Sequence, residues 1–400
     1  MDKSPVQIGV GTLEITNEEK SAVMEVLDSN RLSYGPKSRE FESRFAGFHD
    51  SKFAVLVNSG TSALRIAIAC LKETENWKEG DEVIVPAVTF VATANVIIDH
   101  GLVPVFTDCD SNTYNIDPAK IEEKITDRTR AIMSVHLFGQ IADMDPIMEI
   151  AKKHNLKVIE DSAETMGVDY KGRKTGSFGD ISCFSTYAAH LIVTGVGGFA
   201  VTNNPKYAEI LRSLANHGRD GIYLSIDDDK DVKDENFKEV VRRRFRFVRP
   251  GYSFRLTEME SAIGLCQLDK LPNMLKTRNE NAEVLMKGLS KFSNSIQLPY
   301  YDKEKQGHAF MMFPLAIKED AGFTKDELVQ YLEEWNIETR DMLPLINQPV
   351  YEYMNIDQKA YPVADWINRC GFYIGCHQGL TQDNLQYITN VFDKFFSSKS

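Results

Sequence analysis

A chain of 400 residues, 42% of them hydrophobic, is long enough to bury a large core and to form two domains. Its 46 basic and 58 acidic residues leave a net charge of -12, which argues against nucleic acid as a partner, because phosphate backbones are bound by clustered positive charge. The start, Met1 to Pro5, has no apolar signal stretch, and no apolar run approaches the roughly 20 residues needed to span a bilayer, so a cytoplasmic protein without a membrane segment is expected.

Strand and helix signals alternate along most of the chain. Val57 to Leu64 reads as a strand end, a Ser59-Gly60-Thr61 turn and a helix start. Short buried strands are expected at Asp81 to Pro86, Val103 to Phe106, Ala131 to Val135 and Leu156 to Glu160. Between them lie helical patterns such as Asp143 to Asn155, with apolar residues at Met144, Ile147, Met148, Ile150 and Ala151. This spacing predicts a mostly parallel sheet covered by helices on both faces.

After about Pro250 the pattern changes. A long helical stretch, Leu256 to Leu289, is followed by a strand-like run at Phe310 to Ile317 and amphipathic helices at Asp326 to Trp335 and Gln382 to Phe396. An α/β domain over residues 1–250 and a smaller α+β domain over 251–400 are therefore expected. The basic run from Arg242 to Arg249 follows an acidic one, Asp227 to Asp231, and reads as a self-compensating solvated loop, with anion binding as the alternative. Six cysteines, Cys70, Cys109, Cys183, Cys266, Cys370 and Cys376, lack the paired spacing of a zinc or iron-sulfur site, so free buried thiols and no metal centre are expected.

Three short segments could carry chemistry. The amides of Gly60 and Thr61 at a helix N-terminus could bind phosphate, although a plain capped helix start has the same sequence. Glu160-Asp161-Ser162-Ala163-Glu164 stands at the carboxyl end of a buried strand, where open α/β sheets bind ligands. There Asp161 could hold a pyridinium nitrogen protonated, or simply cap a helix. The third segment runs from Gly176 to Gly198 and sets Ser185 five residues before His190, so that one bound cofactor could meet both a hydroxyl and an imidazole. Alone, a histidine is more often structural.

Taken in order, these segments together with Pro86 to Thr93, Gly176-Ser177-Phe178-Gly179-Asp180 and Gly251-Tyr252-Ser253-Phe254-Arg255 resemble the DegT/StrS-type family of sugar aminotransferases and dehydratases, from about Leu13 to Phe395. The resemblance implies the pyridoxal-phosphate-dependent aspartate aminotransferase (type I) fold, a homodimer with shared active sites and a nucleotide-linked keto sugar as substrate. It also implies that Gly60, Thr61 and Ser185 bind cofactor phosphate, that Phe90 stacks on the pyridine ring and that Asp161 pairs with the ring nitrogen. Ser253 stands where the family has an asparagine that reaches the partner's phosphate. His217, His308, Arg340 and His377 are weaker candidates for substrate contact, each with a turn, loop or surface ion-pair reading beside it.

His190 occupies the position where most members of the family have the lysine that tethers the cofactor. A minority carry histidine there, and the sequence resembles that minority, the GDP-4-keto-6-deoxymannose 3-dehydratase branch. Glu164, three residues after Asp161, stands where glutamine is common and an acid marks the deoxygenating members. His190 and Glu164 are thus the candidate catalytic residues, Glu164 also counting with the cofactor site. Because imidazole cannot tether the cofactor, pyridoxamine 5'-phosphate is free to react with the sugar's carbonyl, His190 moves protons during loss of the carbon-3 hydroxyl, and L-glutamate restores the amine. A related branch uses an iron-sulfur cluster, but its closely spaced cysteines are missing here. An aminotransferase with an unusual proton carrier and a non-catalytic sugar-nucleotide binder are the other readings.

Overall fold

A computed structural model describes residues 3–221, 235–342 and 344–399. The acidic run Asp227 to Asp231 lies outside the described residues. The chain of strands comprises β1 (Phe53–Val57), β2 (Glu82–Pro86), β3 (Val103–Thr107), β4 (Thr129–Val135), β5 (Lys157–Asp161), the hairpin of β6 (Asp169–Tyr170) and β7 (Arg173–Lys174), β8 (Ile181–Ser185) and β9 (Gly198–Thr202). Seven of these form one sheet in the order β1-β9-β8-β5-β4-β2-β3. Neighbours from β8 through β3 run parallel, whereas β9 is antiparallel to both β8 and β1. The sheet is consequently mixed, and β1, β2, β4, β5 and β8 all point their carboxyl ends the same way.

These strands form where the sequence offers short apolar runs without period-2 alternation. Every residue of β2, β8 and β9 is buried, as expected for strands covered on both faces. The Gly60–Thr74 helix buries Ala63, Leu64, Ile66, Ala67, Cys70 and Leu71 against them, and Ser59 caps it by accepting the Ser62 N–H at 3.0 Å.

The second sheet is antiparallel, in the order β10 (Ile296–Gln297), β11 (Phe313–Ile317), β13 (Gly371–Ile374), β12 (Thr339–Asp341). Its core gathers Phe313, Leu315, Leu328, Phe372, Phe392 and also Ile8, whose backbone pairs with Ile337. The Glu258–Leu289 helix adds Leu265, Leu268 and Leu271 to the large core and Ala282, Leu285 and Leu289 to the small one. Both cores draw residues from each side of residue 250, the large one Met311 and Ile367 and the small one Ile8.

Within the basic run, Arg243 pairs with Asp220 and Glu239, Arg246 with Asp220 and Arg249 with Glu73. One local expectation changes. Of the six thiols, Cys266 and Cys370 are only partly buried. No helix among the described residues is long and apolar enough to cross a membrane.

Candidate active site

A cavity of about 580 Å³ opens where the carboxyl ends of β2, β4, β5 and β8 meet the first turn of the Gly60–Thr74 helix and the edge of the small sheet. Parallel strands end there with their backbone carbonyls spent on neighbours, and the side chains that follow them face a common crevice.

At one end lies an anion cradle. Gly60 and Thr61 open the helix, where backbone N–H groups have no intrahelical acceptor, and both line the cavity. Ser185, the last residue of β8, faces them so closely that a Cβ on Gly60 would lie 2.7 Å from the Ser185 Cβ. Only glycine allows that approach. The Tyr187 N–H donates to Ser185 Oγ at 3.4 Å, leaving the hydroxyl hydrogen available to an anion.

Asp161 ends β5 in the cavity floor. Burial pushes its carboxyl above the usual range, opposed by the Ala163 N–H at 3.3 Å and the Thr93 hydroxyl at 3.1 Å. Among the described residues no salt bridge reaches it, so a positively charged ring nitrogen would supply an opposite charge. Beside it His136 lines the cavity with its ring fixed: Nδ1 accepts the Ala142 N–H at 3.2 Å and Nε2 meets Glu160 at 3.2 Å. The buried Glu160 carboxylate also accepts from the N–H groups of Gly176, Phe178 and Gly179 and from the Ser182 hydroxyl. Although burial works against it, these donors hold Glu160 below the ordinary carboxylate range.

His190 lies in the loop between β8 and β9, its backbone N–H donating to the Tyr187 carbonyl at 2.9 Å. Its Nδ1 is buried without a hydrogen-bond partner, and desolvation lowers the imidazole to about 4. The ring is therefore neutral near pH 7. No lysine is among the described side chains that line the cavity.

Glu164 lines the cavity as well, and its Oε2 accepts the N–H of Phe138. Burial, reinforced by the nearby negative charge of Asp161, pushes its carboxyl up to about 7. Phe90 precedes the Val91–Ile98 helix with its ring 59% exposed at the cavity edge.

The cavity thus brings together Gly60, Thr61, Phe90, Asp161, Glu164, Ser185 and His190. The other candidates fall elsewhere. Ser253 and His217 share Arg255, whose Nη2 lies 3.3 Å and 3.2 Å from them, on an exposed surface that does not line this cavity. His308 does not line this cavity: it is buried, stacks on Phe310 at 3.8 Å and accepts the Phe310 N–H at 2.8 Å. His377 is likewise buried away from the cavity, with Nε2 against the Gly9 carbonyl at 3.2 Å. Arg340 pairs with Glu338 on the surface, and its neighbour Asp341 lines the cavity instead.

Sequence reading missed the opposite wall, made by Phe138, Met311, Met312 and Tyr373. Phe138 follows directly from β4, so its place after a strand terminus was the available signal. The methionines enter from a segment 173 residues after Phe138, without a motif.

Residues 13–393 match the DegT/DnrJ/EryC1/StrS aminotransferase family. The chain is 34% identical over 390 residues to the GDP-perosamine synthase of Caulobacter vibrioides, covering 97% of this chain and 98% of the relative. It is also 34% identical over 387 residues to the GDP-4-keto-6-deoxy-D-mannose 3-dehydratase of Escherichia coli O55:H7, covering 93% and 96%. The solved structure of an E. coli GDP-4-keto-6-deoxy-D-mannose-3-dehydratase with bound hydrated pyridoxal phosphate superposes with a TM-score of 0.87 at 31% identity, covering 96% of this chain and 99% of that one. The fold is the pyridoxal-phosphate-dependent aminotransferase fold, and its cofactor is pyridoxal 5'-phosphate or the pyridoxamine form. The cradle at Gly60, Thr61 and Ser185, the unpaired buried Asp161 and the open Phe90 ring fit that group in charge and in shape.

Proposed function

The chain belongs to the DegT/DnrJ/EryC1/StrS aminotransferase family, and within it we propose a pyridoxamine-phosphate-dependent 3-dehydratase of a nucleotide-linked 4-keto-6-deoxy sugar. The observation that carries this reading is His190, a neutral imidazole with a buried free nitrogen in a cavity whose described lining holds no lysine. When bound, the cofactor supplies an amine that condenses with the sugar's carbonyl and a ring that accepts electrons.

The protein's own groups do the rest. Gly60, Thr61 and Ser185 anchor the phosphate, Phe90 covers one ring face, and Asp161 keeps the ring nitrogen protonated. His190 cannot tether the cofactor, which leaves the amine form free. Its neutral imidazole takes a methylene proton and then, as imidazolium, gives one to the departing carbon-3 hydroxyl. A deoxygenated keto sugar and ammonia leave, and L-glutamate restores the amine, with His190 again the proton carrier. The exposed Ser253, His217 and Arg255 cluster, together with Tyr187 and Val196 exposed near the cavity mouth, supports a homodimer in which this cluster completes the partner's site.

An aminotransferase that uses His190 as an unusual proton carrier is the second reading, favoured by the similarity to GDP-perosamine synthases. Incubation with pyridoxal phosphate, glutamate and a GDP-4-keto-6-deoxy sugar separates the two. Ammonia and a deoxygenated product are expected. An amino sugar would overturn the dehydratase in favour of the transferase, and no turnover across a substrate panel would leave a binding protein.

A further inference from the structure

The wall opposite His190 turns on one backbone conformation. Phe138 adopts φ 58°, ψ 17°, the left-handed region that bulky side chains avoid because Cβ meets the following carbonyl. Such a conformation persists only where the surroundings hold it. The hydrogen bonds around the turn identify what holds it. The Leu137 N–H donates to Asn115 Oδ1 at 2.8 Å, and Asn115 Nδ2 donates to the Gln140 carbonyl at 3.1 Å. The Gly139 carbonyl accepts the Ala309 N–H at 2.8 Å. The Phe138 N–H donates to Glu164 Oε2, and this is the turn's bond to an ionisable side chain.

The turn is also wedged in place. Gly139, at φ 91°, touches the facing segment so closely that a Cβ would lie 2.8 Å from the backbone nitrogens of Phe310 and Met311. Its displacement would therefore move Met311 and Met312, which line the cavity beside Phe138. The Phe138 ring lies 6.0 Å from that of Tyr373 and 5.8 Å from that of Tyr114, so its direction sets the shape of this half of the cavity.

We propose that Glu164 is a positioning residue for the sugar-side wall: by accepting the Phe138 N–H it fixes the left-handed turn that places Phe138, and with it the Met311–Met312 segment, against the substrate. This deepens the dehydratase reading and rests on it only for the identity of the sugar. Glu164 then acts through Phe138 on sugar affinity and carries no proton in the reaction. Its place three residues after Asp161 ties the cofactor floor to the substrate wall in one segment.

The test compares Glu164→Ala, which has no acceptor, with Glu164→Gln, which keeps one, in the pyridoxamine-phosphate holoenzyme. Hydrogen exchange of the Leu137 to Gln140 segment and KM for GDP-4-keto-6-deoxymannose, measured at saturating cofactor, should each rise about tenfold or more in Glu164→Ala. Glu164→Gln should return both toward the wild-type values. If both variants lose kcat at unchanged KM, the carboxylate touches the reacting atoms and the proposal falls. Unchanged exchange in Glu164→Ala would also sink it. Should Glu164→Ala fail to fold, Phe138→Gly gives a second route, because glycine reaches the left-handed region unaided. On that background Glu164→Ala should fold and exchange like Phe138→Gly alone, and a further rise would overturn the proposal. If the wild-type enzyme does not turn over the GDP sugar, the functional reading fails while the exchange comparison still decides the role of Glu164.

Discussion

The two halves of the cavity are built differently. The half we propose for the cofactor is made from residues that end a strand or open a helix: Gly60 and Thr61, Asp161, Ser185. The half we propose for the sugar is assembled from Phe138, Met311, Met312 and Tyr373, contributed by three distant segments and held by a left-handed turn. An invariant ligand chemistry can be met by local backbone geometry, as a phosphate is met by helix amides. A wall that must suit one sugar needs tertiary packing, and its residues carry no motif of their own.

This contrast can be broken most severely at the reacting centre between the halves. His190→Ala should lower turnover about a hundred- to ten-thousandfold while pyridoxamine-phosphate binding, measured by titration, stays near wild type. Equal loss of cofactor affinity would assign His190 to the cofactor half alone. The companion His190→Lys should develop the visible absorbance of a lysine-bound cofactor. Its absence would mean that residue 190 is not beside the reactive carbon.

The next effect belongs to the cradle. In Gly60→Ala the new methyl must displace Ser185, and the cost of overpacking, about 1–3 kcal/mol, corresponds to a fall in cofactor affinity of roughly five- to a hundredfold. Sugar KM, measured at saturating cofactor, should hardly move. Phe138→Ala should do the reverse, raising sugar KM about three- to tenfold through lost apolar contact while cofactor affinity holds. Matching shifts of both constants in either variant would show that the halves do not act separately.

The smallest expected effect is on stability against pH. Glu164 is raised from 4.5 to about 7 in the fold, so the folded protein binds its proton more tightly than the unfolded chain does. The stability from this proton is fully present below about 4.5 and is lost as pH rises through about 7. Melting of the apoprotein should therefore show Glu164→Gln gaining on wild type between pH 4.5 and pH 8. A constant difference across that range would place the carboxyl in water.

Much of this was legible in the sequence because the signals were local. The runs at Asp81 to Pro86, Ala131 to Val135 and Leu156 to Glu160 became β2, β4 and β5 within a residue or so, since a strand buried on both faces leaves a continuous apolar run. Ser59-Gly60-Thr61, Asp161 and Ser185, read as one group from the sequence, line one cavity. That His308 and His377 lie outside this cavity was not legible, because a buried histidine and a cavity-lining one look the same in one dimension, and only the rings and carbonyls around them tell them apart. The Phe138 turn was hidden for a different reason. Its left-handed backbone is imposed by Glu164 and by the facing Phe310–Met311 segment, and nothing in Leu137-Phe138-Gly139 specifies it beyond the glycine.

The pairing of Ile8 with Ile337 bears on how the protein is made. During synthesis the amino-terminal segment emerges first, yet its backbone partner leaves the ribosome more than 300 residues later, after at least about 15 seconds at ordinary elongation rates. Until then the large sheet can form around its own core, while Ile8 and the small core wait. A chain truncated anywhere before Ile337 would carry an unsatisfied leading segment, and the wall that faces the sugar would be the last part of the cavity to close.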